Sequence, residues 1–300
     1  MTSATRTRSA MLMPAPLCLK DPGLLPAGRR PHFRAVSCRV NDYRAIEAWM
    51  LTTERKALIQ RMLQRDGRFI GKAFSKEIGV SEDTIRRDLR ELAGEGLLQR
   101  VHGGALPASP AMADFAARAG LASPAKVALG RHAARLIRPG QIVFLDGGTT
   151  NVQLARALPQ DLRATIVTHS PSIAVELVRH PLLDVQIIGG RLFKHSIVAT
   201  GAAAADAISR IRADTYFMGV TGLHPDLGAT TGDPEEAEIK RLIARQAAET
   251  IVLASHDKLG AASPYRILPL AAISTLVTEA GVAAEVLHGF HPLAVETIAV

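Results

Sequence analysis

The sequence predicts an α+β winged helix-turn-helix domain followed by an α/β body built on a mainly parallel sheet. Two local patterns carry this reading. The stretch 79–105, GVSEDTIRRDLRELAGEGLLQRVHGGA, reads as a capped amphipathic helix with a cationic outer face and a short hairpin behind it. From residue 123 onward, short apolar runs alternate with helical periods, as strands do when helices connect them in parallel. A length of 300 residues with 47% hydrophobic content is ample for two buried cores.

The helix inside the first stretch has a defined start. Ser81 follows the Gly79-Val80 turn, and its hydroxyl can accept an orphan amide, while Glu82 and Asp83 suit the positive end of the helix dipole. Ile85, Leu89 and Leu92 recur at i, i+4 and i+7 and share one stripe, which leaves Thr84, Arg87 and Arg90 facing away and Arg86 on the flank. Arginine forks take a guanine edge or a phosphate and hydroxyls reach either, which is the chemistry of a major-groove helix. A solvated helix face is the plain alternative. What precedes the helix lowers its odds. Residues 54–64 form an amphipathic helix with Leu58, Ile59, Met62 and Leu63 inward, and a second helix over about 71–78 turns Phe74 and Ile78 inward before the Gly79 turn. A short helix joined by a tight turn to an arginine-bearing one is the helix-turn-helix arrangement. Gly96 suits the position just past the helix end. Leu97, Leu98 and Val101 then anchor a hairpin with Arg100 and His102 placed for phosphate or minor groove, and Gly103-Gly104 releases the chain.

This run resembles the signature of the DeoR family of transcriptional regulators, and the resemblance extends over about residues 51–280. It implies a sugar-phosphate-sensing domain with a ribose-5-phosphate isomerase-like fold behind the winged helix. The expected organisation is a basic extension or mis-assigned start over 1–49, the winged domain over 50–106, a linker with a short Ala-rich helix over 107–122, the body over 123–280 and a helix/strand tail over 281–300. Residues 1–49 are rich in Pro, Ala and Arg with little periodicity, a composition that favours disorder, broken by a short helix near 43–49. Cys18 and Cys38 lack zinc-ligand spacing and are expected as free thiols.

Charge informs once it is partitioned. Residues 1–49 hold eight Lys or Arg against three acids, 50–107 eleven against eight, and 108–300 seventeen against seventeen, so the whole net +8 sits in the first third. A basic head on a neutral body is the footprint of a DNA-binding protein. No apolar run reaches the length of a membrane span and no secretory leader is recognisable, so a cytoplasmic protein with no membrane partner is expected. The ten histidines are scattered, and neither a metal nor a cofactor is expected.

In the body, Ser123 and Pro124 fit the N-cap and first position of a helix reaching Ile137, and Arg138-Pro139-Gly140 turns it into a strand over 141–145. The strands TIVTHS, VQIIGG, TYFMGVTG, TIVLAS and STLVTE follow, spaced by helices. Ligands in such sheets bind beyond the carboxyl ends of the strands. The first such loop, Asp146-Gly147-Gly148-Thr149-Thr150, leaves a strand and enters a helix, so its amides and hydroxyls can wrap an anion. An empty Gly-Gly turn is as common an explanation, and the family resemblance, which makes this the phosphate loop, tips the balance. A second group comprises Gly189-Gly190-Arg191, 219–222 and 228–231. A third comprises Lys240, within the helix that carries Glu235 and Glu236, and Lys258 after the next strand. Both lysines can meet phosphate or a sugar hydroxyl, although for any helical lysine a surface pair such as Glu236 to Lys240 is more frequent.

Two departures from the family pattern bear on the effector's identity. Ser255-His256-Asp257-Lys258 stands where members usually read Asp-His-Ser-Lys, and Phe193 lies near a common arginine, with Arg191 and Lys194 as stand-ins. The rival function is a sugar-phosphate isomerase carrying a DNA-binding head. It needs a carboxylate base, and the isomerase glutamate falls at Lys240, which cannot serve, leaving Glu236 or Asp146 as minor candidates. The expected protein is therefore a non-enzymatic repressor of carbohydrate metabolism, partnered by a double-stranded operator and a phosphorylated sugar. A homo-oligomer is expected because one short recognition helix gives too little contact for selective binding.

Overall fold

A computed structural model describes residues 51–109, 115, 124–290 and 296–300 of the chain. The expectations for the extension, its two cysteines and most of the linker lie outside the described residues.

The first domain comprises α1 (Thr52–Asp66), β1 (Phe69–Ile70), α2 (Gly71–Glu77), α3 (Glu82–Gly94), β2 (Leu98–Val101) and β3 (Gly104–Pro107). Its apolar stripes meet as their spacing requires: Ile59, Leu63, Phe74, Ile85, Leu89 and Leu92 are buried together with Phe69 and Leu98, whereas Leu58 and Met62 are only partly buried at the edge of this core. Each fully buried side chain of this size contributes about 1.5–3 kcal/mol. Phe69 and Phe74 pack edge to face with centroids 5.0 Å apart. Gly96 ends α3 as expected, at φ 73°. Its amide donates to the Ala93 carbonyl and that of Leu97 to Leu92, the paired bonds of a Schellman stop.

Two expectations for the wing are corrected. Leu97 does not anchor the hairpin; it is 46% exposed while Leu98 turns inward. Gly103-Gly104 does not release the chain. It makes the turn into the return strand β3, which lies between β2 and the short β1, a strand that the sequence did not signal. Gly104 is required there because a Cβ would fall 1.7 Å from the Phe69 carbonyl oxygen.

In the body, a helix over Pro124–Ala134 precedes β4 (Ile142–Leu145), so the helix stops short of Ile137. The strands β4, β5 (Thr165–Thr168), β6 (Asp184–Ile187), β9 (Ala213–Met218), β12 (Ala247–Leu253), β14 (Thr275–Thr278) and β15 (Glu296–Ala299) form one seven-stranded sheet. Its order is β15-β14-β12-β9-β4-β5-β6, with every pairing parallel. The tail thus supplies an edge strand of the main sheet. Side chains alternate between two cores, as a strand buried on both faces demands: Val143 and Leu145 enter one, Phe144 the other.

The chain runs outward from β4 through β5 and β6 on one side, and from β9 through β12, β14 and β15 on the other. The order therefore switches between β4 and β9, and a crevice opens beyond their carboxyl ends. Part of what the sequence offered as loops is strand. Arg191 opens a hairpin of β7 (Arg191–Phe193) and β8 (Val198–Thr200), while β10 (Gly222–His224), β11 (Gly228–Thr231) and β13 (Tyr265–Leu268) form a small antiparallel sheet beside the crevice. Among the described residues no helix is long and apolar enough to cross a membrane.

Candidate functional site

Two surfaces hold the residues singled out from the sequence. The first is the outer face of α3. Ser81 caps the helix, its Oγ accepting from the Thr84 amide at 3.2 Å and sharing a 2.9 Å hydrogen bond with the Thr84 hydroxyl. Arg87 and Arg90 are exposed and, among the described residues, make no hydrogen bond or ion pair. Arg86 differs: its guanidinium is 2.8 Å from Asp83 and 3.2 Å from Glu82, so part of its charge is answered within the helix. Arg100 on β2 and His102 in the wing turn are exposed, and with Lys72 and Arg86 they line one groove between α3 and the wing.

Sequence reasoning missed what holds this face. The guanidinium of Arg55 in α1 grips the Asp88 carboxylate with Nε to Oδ2 at 2.5 Å and Nη2 to Oδ1 at 3.0 Å. Both residues are buried, at 5% and 0% exposure. A fork of this kind fixes rotation as well as distance, so α3 cannot roll relative to α1 without leaving a buried charge unpaired. The signal was present, since Asp88 is an acid beside the apolar stripe of Ile85, Leu89 and Leu92.

The second surface is a pocket in the crevice between β4 and β9. Gly147, Gly148, Thr149 and Thr150 line it from one side, Thr221, Thr231 and Glu236 from another, and Lys240 and Lys258 also reach it. The loop after β4 enters the helix Thr149–Ala157, whose N-cap is Gly148 and carries no side-chain cap. The leading amides of that helix therefore have no intrahelical acceptor. Beside them the Thr150 hydroxyl and the Asn151 Oδ1 are buried and have no hydrogen-bond partner. Loops from the two strands come close enough that a Cβ on Gly219 would sit 2.5 Å from the Gly147 carbonyl oxygen.

Asp146 is not part of the lining. It is fully buried, and its carboxylate is a keystone behind the pocket. Oδ1 accepts from the Gly147 amide at 2.8 Å and from His169 Nε2 at 2.8 Å. Oδ2 accepts from the Tyr216 hydroxyl and the Gly219 amide, each at 2.8 Å, and from Lys240 Nζ at 2.5 Å. The other ring nitrogen of His169 lies 2.9 Å from the Ala199 carbonyl oxygen. Burial by itself raises the Asp146 pKa, but the Lys240 ammonium and His169 outweigh it and hold the carboxyl well below the usual carboxylate range. Burial lowers the Lys240 pKa, and Asp146 and Glu236 more than reverse the effect. Burial, with Asp146 beside it, pushes the Tyr216 phenol well above its ordinary value, which keeps it a donor.

Lys240 thus lines the pocket while bound to the keystone behind it. Besides Asp146 it meets the Gly219 carbonyl at 3.0 Å and Glu236 at 3.4 Å, and Glu236 in turn accepts from the Thr231 hydroxyl at 2.6 Å. The helical pair to Glu236 exists, but buried rather than on the surface. Lys258, on a single turn over His256–Lys258, is 7% exposed. Gly190 and Arg191 are not brought to the pocket: Arg191 pairs with Glu235 on the surface, and Gly190 packs against Thr200 and Ala204. Phe193 is half-buried and Lys194 exposed, both also away from the pocket lining. His169 and Tyr216 were missed because nothing in the sequence says that β5 and β9 flank β4.

Two family profiles match the sequence, that of the DeoR-like helix-turn-helix domain over residues 55–110 and that of the DeoR C terminal sensor domain over 122–280. The chain is 34% identical over 233 residues to the HTH-type transcriptional regulator GlpR of Haloferax volcanii, covering 77% of this chain and 91% of that protein. It is 31% identical over 232 residues to the HTH-type transcriptional repressor GlcR of Bacillus subtilis, covering 77% and 89%. It is 29% identical over 232 residues to the glycerol-3-phosphate regulon repressor of Escherichia coli, covering 77% and 92%. Among solved structures, ribose 5-phosphate isomerase A of Methanocaldococcus jannaschii aligns at 15% identity with a TM-score of 0.33, covering 44% of this chain and 52% of that one. With both halves matched, and with this identity over most of its length, the chain belongs to the DeoR family of helix-turn-helix transcriptional regulators.

Proposed function

We propose that the protein represses a carbohydrate-metabolism operon and that a phosphorylated sugar bound in the crevice modulates its hold on the operator. The observation that carries the effector half is the uncapped helix at Thr149 with the buried, unpartnered Thr150 hydroxyl beside it. A tetrahedral anion supplies several acceptors at once to free amides and a hydroxyl donor, and the helix dipole favours its charge. Lys258 adds a cation at the same pocket. The DNA half rests on Arg87 and Arg90, with Ser81, Thr84, Arg86, Arg100 and His102 around them, a set able to contact base edges and phosphates.

The named relatives are regulators, and one of them is a repressor of a glycerol-3-phosphate regulon. An isomerase reading is disfavoured by the state of the acids. Asp146 is sealed behind the pocket with its pKa depressed, and both oxygens of Glu236 are held by Thr231 and Lys240, which leaves neither free to take a substrate proton. A homo-oligomer that presents paired recognition helices completes the reading.

The test is titration calorimetry with sugars and their phosphates, followed by gel-shift titration with any binder. A phosphate preferred over its parent sugar, together with altered operator affinity, is expected. Changing Thr149 and Thr150 to Ala should remove the response and spare ligand-free DNA binding. Equal affinity for sugar and phosphate removes the phosphate role of this loop, and product formation from a bound phosphosugar revives the enzyme.

A further inference from the structure

The strand that leaves the wing is fastened to the wall of the pocket. β3 ends at Pro107, and the next residue, Ala108, forms a parallel bridge with Ala262. Ser109 follows, 2% exposed, and its hydroxyl donates to the Thr221 carbonyl. Thr221 is itself a pocket-lining residue. Behind it lies a buried hydroxyl cluster. The Thr221 hydroxyl donates to the Thr230 carbonyl at 3.1 Å and lies 2.6 Å from Ser263 Oγ, while the Thr230 hydroxyl donates to the Gly222 carbonyl at 3.1 Å and accepts from the Ser263 amide at 3.0 Å.

The other half of the fastening starts at a pocket residue as well. Lys258 lines the pocket, and the chain runs from it through Leu259, bridged to Leu223, and Gly260, whose amide donates to the Leu223 carbonyl at 2.8 Å, directly to Ala262 and Ser263. This run has little play, because Gly222 lies so close that a Cβ on it would meet the Ala261 carbonyl oxygen at 2.6 Å. Both pocket residues, Thr221 and Lys258, therefore reach Ala108 and Ser109 through short, hydrogen-bonded chain. From there Pro107 leads into the strand that pairs with Arg100 of the wing. A few residues of extended chain, at roughly 3.3–3.6 Å each, leave no slack in which a shift of the wall can be lost.

We propose that Ser109 is a positioning residue that clamps the wing's exit to the effector pocket, and that occupancy reaches the DNA-binding head through the cluster of Ser109, Thr221, Thr230 and Ser263. This rests on the reading of the crevice as a ligand site. Coupling needs an element whose arrangement occupancy can bias, and the clamp meets that need if ligand shifts the wall at Thr221 and Lys258, because the wing's exit is tied to that wall.

The experiment has two arms. In the first, operator affinity of the full chain is measured with and without glycerol 3-phosphate, with inorganic phosphate as a second probe, and calorimetry reports binding of each separately. Wild type should change operator affinity about tenfold and Ser109→Ala about twofold or less, while the calorimetric affinity and the ligand-free operator affinity of the variant stay close to wild type. A full response in Ser109→Ala, or a wild type that binds a probe without any change at the operator, overturns the clamp. The second arm needs no ligand, so that a pocket empty of both probes refutes the ligand reading and still leaves the clamp tested. Amide exchange at Leu106, Ala108 and Ser109 is followed in Ser109→Ala, in Thr230→Val and in the double variant. Faster exchange in each single variant, with no further gain in the double, is expected if both act through one cluster. Unchanged exchange in either single variant, or additive gains, overturns it.

Discussion

The two working surfaces of this chain use cations in opposite ways. On α3 the arginines Arg87 and Arg90 stand in solvent, with no hydrogen bond or ion pair among the described residues, whereas in the body Lys240 is buried against Asp146, Glu236 and the Gly219 carbonyl. The difference fits the proposal that one surface meets DNA and the other a small anion. A DNA backbone is a long array of charge approached from water, so cations kept hydrated and free give attraction that salt can tune. A pocket must hold its walls in place before a small ligand arrives. There a buried acid satisfied by five donors ties the loop after β4 to β5, to β9 and to the helix Pro234–Gln246. On the proposed reading, the helix amides and the unpartnered Thr150 hydroxyl face the ligand, with Lys258 lining the same pocket.

The largest effect separating the two surfaces should come from Asp146→Ala. It takes from the buried Lys240 its nearest carboxylate and leaves Glu236 and the Gly219 carbonyl, and removing one partner of a buried pair costs about 3–5 kcal/mol. Urea unfolding followed by circular dichroism should show the body destabilised by that order, with the α3 domain melting as before. A loss below about 1 kcal/mol, the scale of a surface pair, would deny that the cluster is structural.

Acid should act on the same group. The folded-state carboxyl lies below its ordinary value, so its contribution is present above the unfolded value near pH 4 and is lost as pH falls through the folded one. Lys240, raised in the fold, contributes below its ordinary value near pH 10.4 and loses that contribution as pH rises through the folded value. Denaturation midpoints across this range should be flattest between the two limbs, and Asp146→Asn should blunt the acid limb.

On the DNA side the effects are smaller and fall on affinity. Arg87→Ala should weaken operator binding by about 1–3 kcal/mol if it reads a base. Arg86→Ala should cost less, because Asp83 and Glu82 already hold that guanidinium. Gel-shift titration of both variants orders them, and the reverse order would mean that Arg86 leaves its helix partners to meet DNA. The smallest expected change is Ser81→Ala. Removing the cap should cost about 1 kcal/mol of stability, measured by thermal melting, and a loss of operator binding far beyond that would give the Ser81 hydroxyl a contact of its own.

Much of this protein could be read without coordinates. The helices of the first domain, the Ser81 cap, the Gly96 stop and the alternation of strands and helices in the body are short-range matters, set by residue spacing and turn chemistry within a few positions. The outward place of Thr84, Arg87 and Arg90 follows from the same helical period. The position of residues 147–150 and Lys258 along one pocket was also anticipated from sequence, because the carboxyl ends of parallel strands are where such sheets leave room.

What the sequence could not decide is which residues meet. Strand order is a long-range choice, and with it came the adjacency of β4, β5 and β9 that gives Asp146 partners 23, 70 and 94 positions away in His169, Tyr216 and Lys240. Spacing alone placed Asp146, Lys240 and Arg191 together as ligand contacts. Packing sealed Asp146 behind the pocket, kept Lys240 in the lining while pairing it with Asp146, and carried Arg191 to the surface. The same holds for Gly104 and for Ser109, whose roles depend on a Phe69 carbonyl and a Thr221 carbonyl that no local pattern brings near. Periodicity tells each side chain which way to face, and only the closed fold determines what it faces.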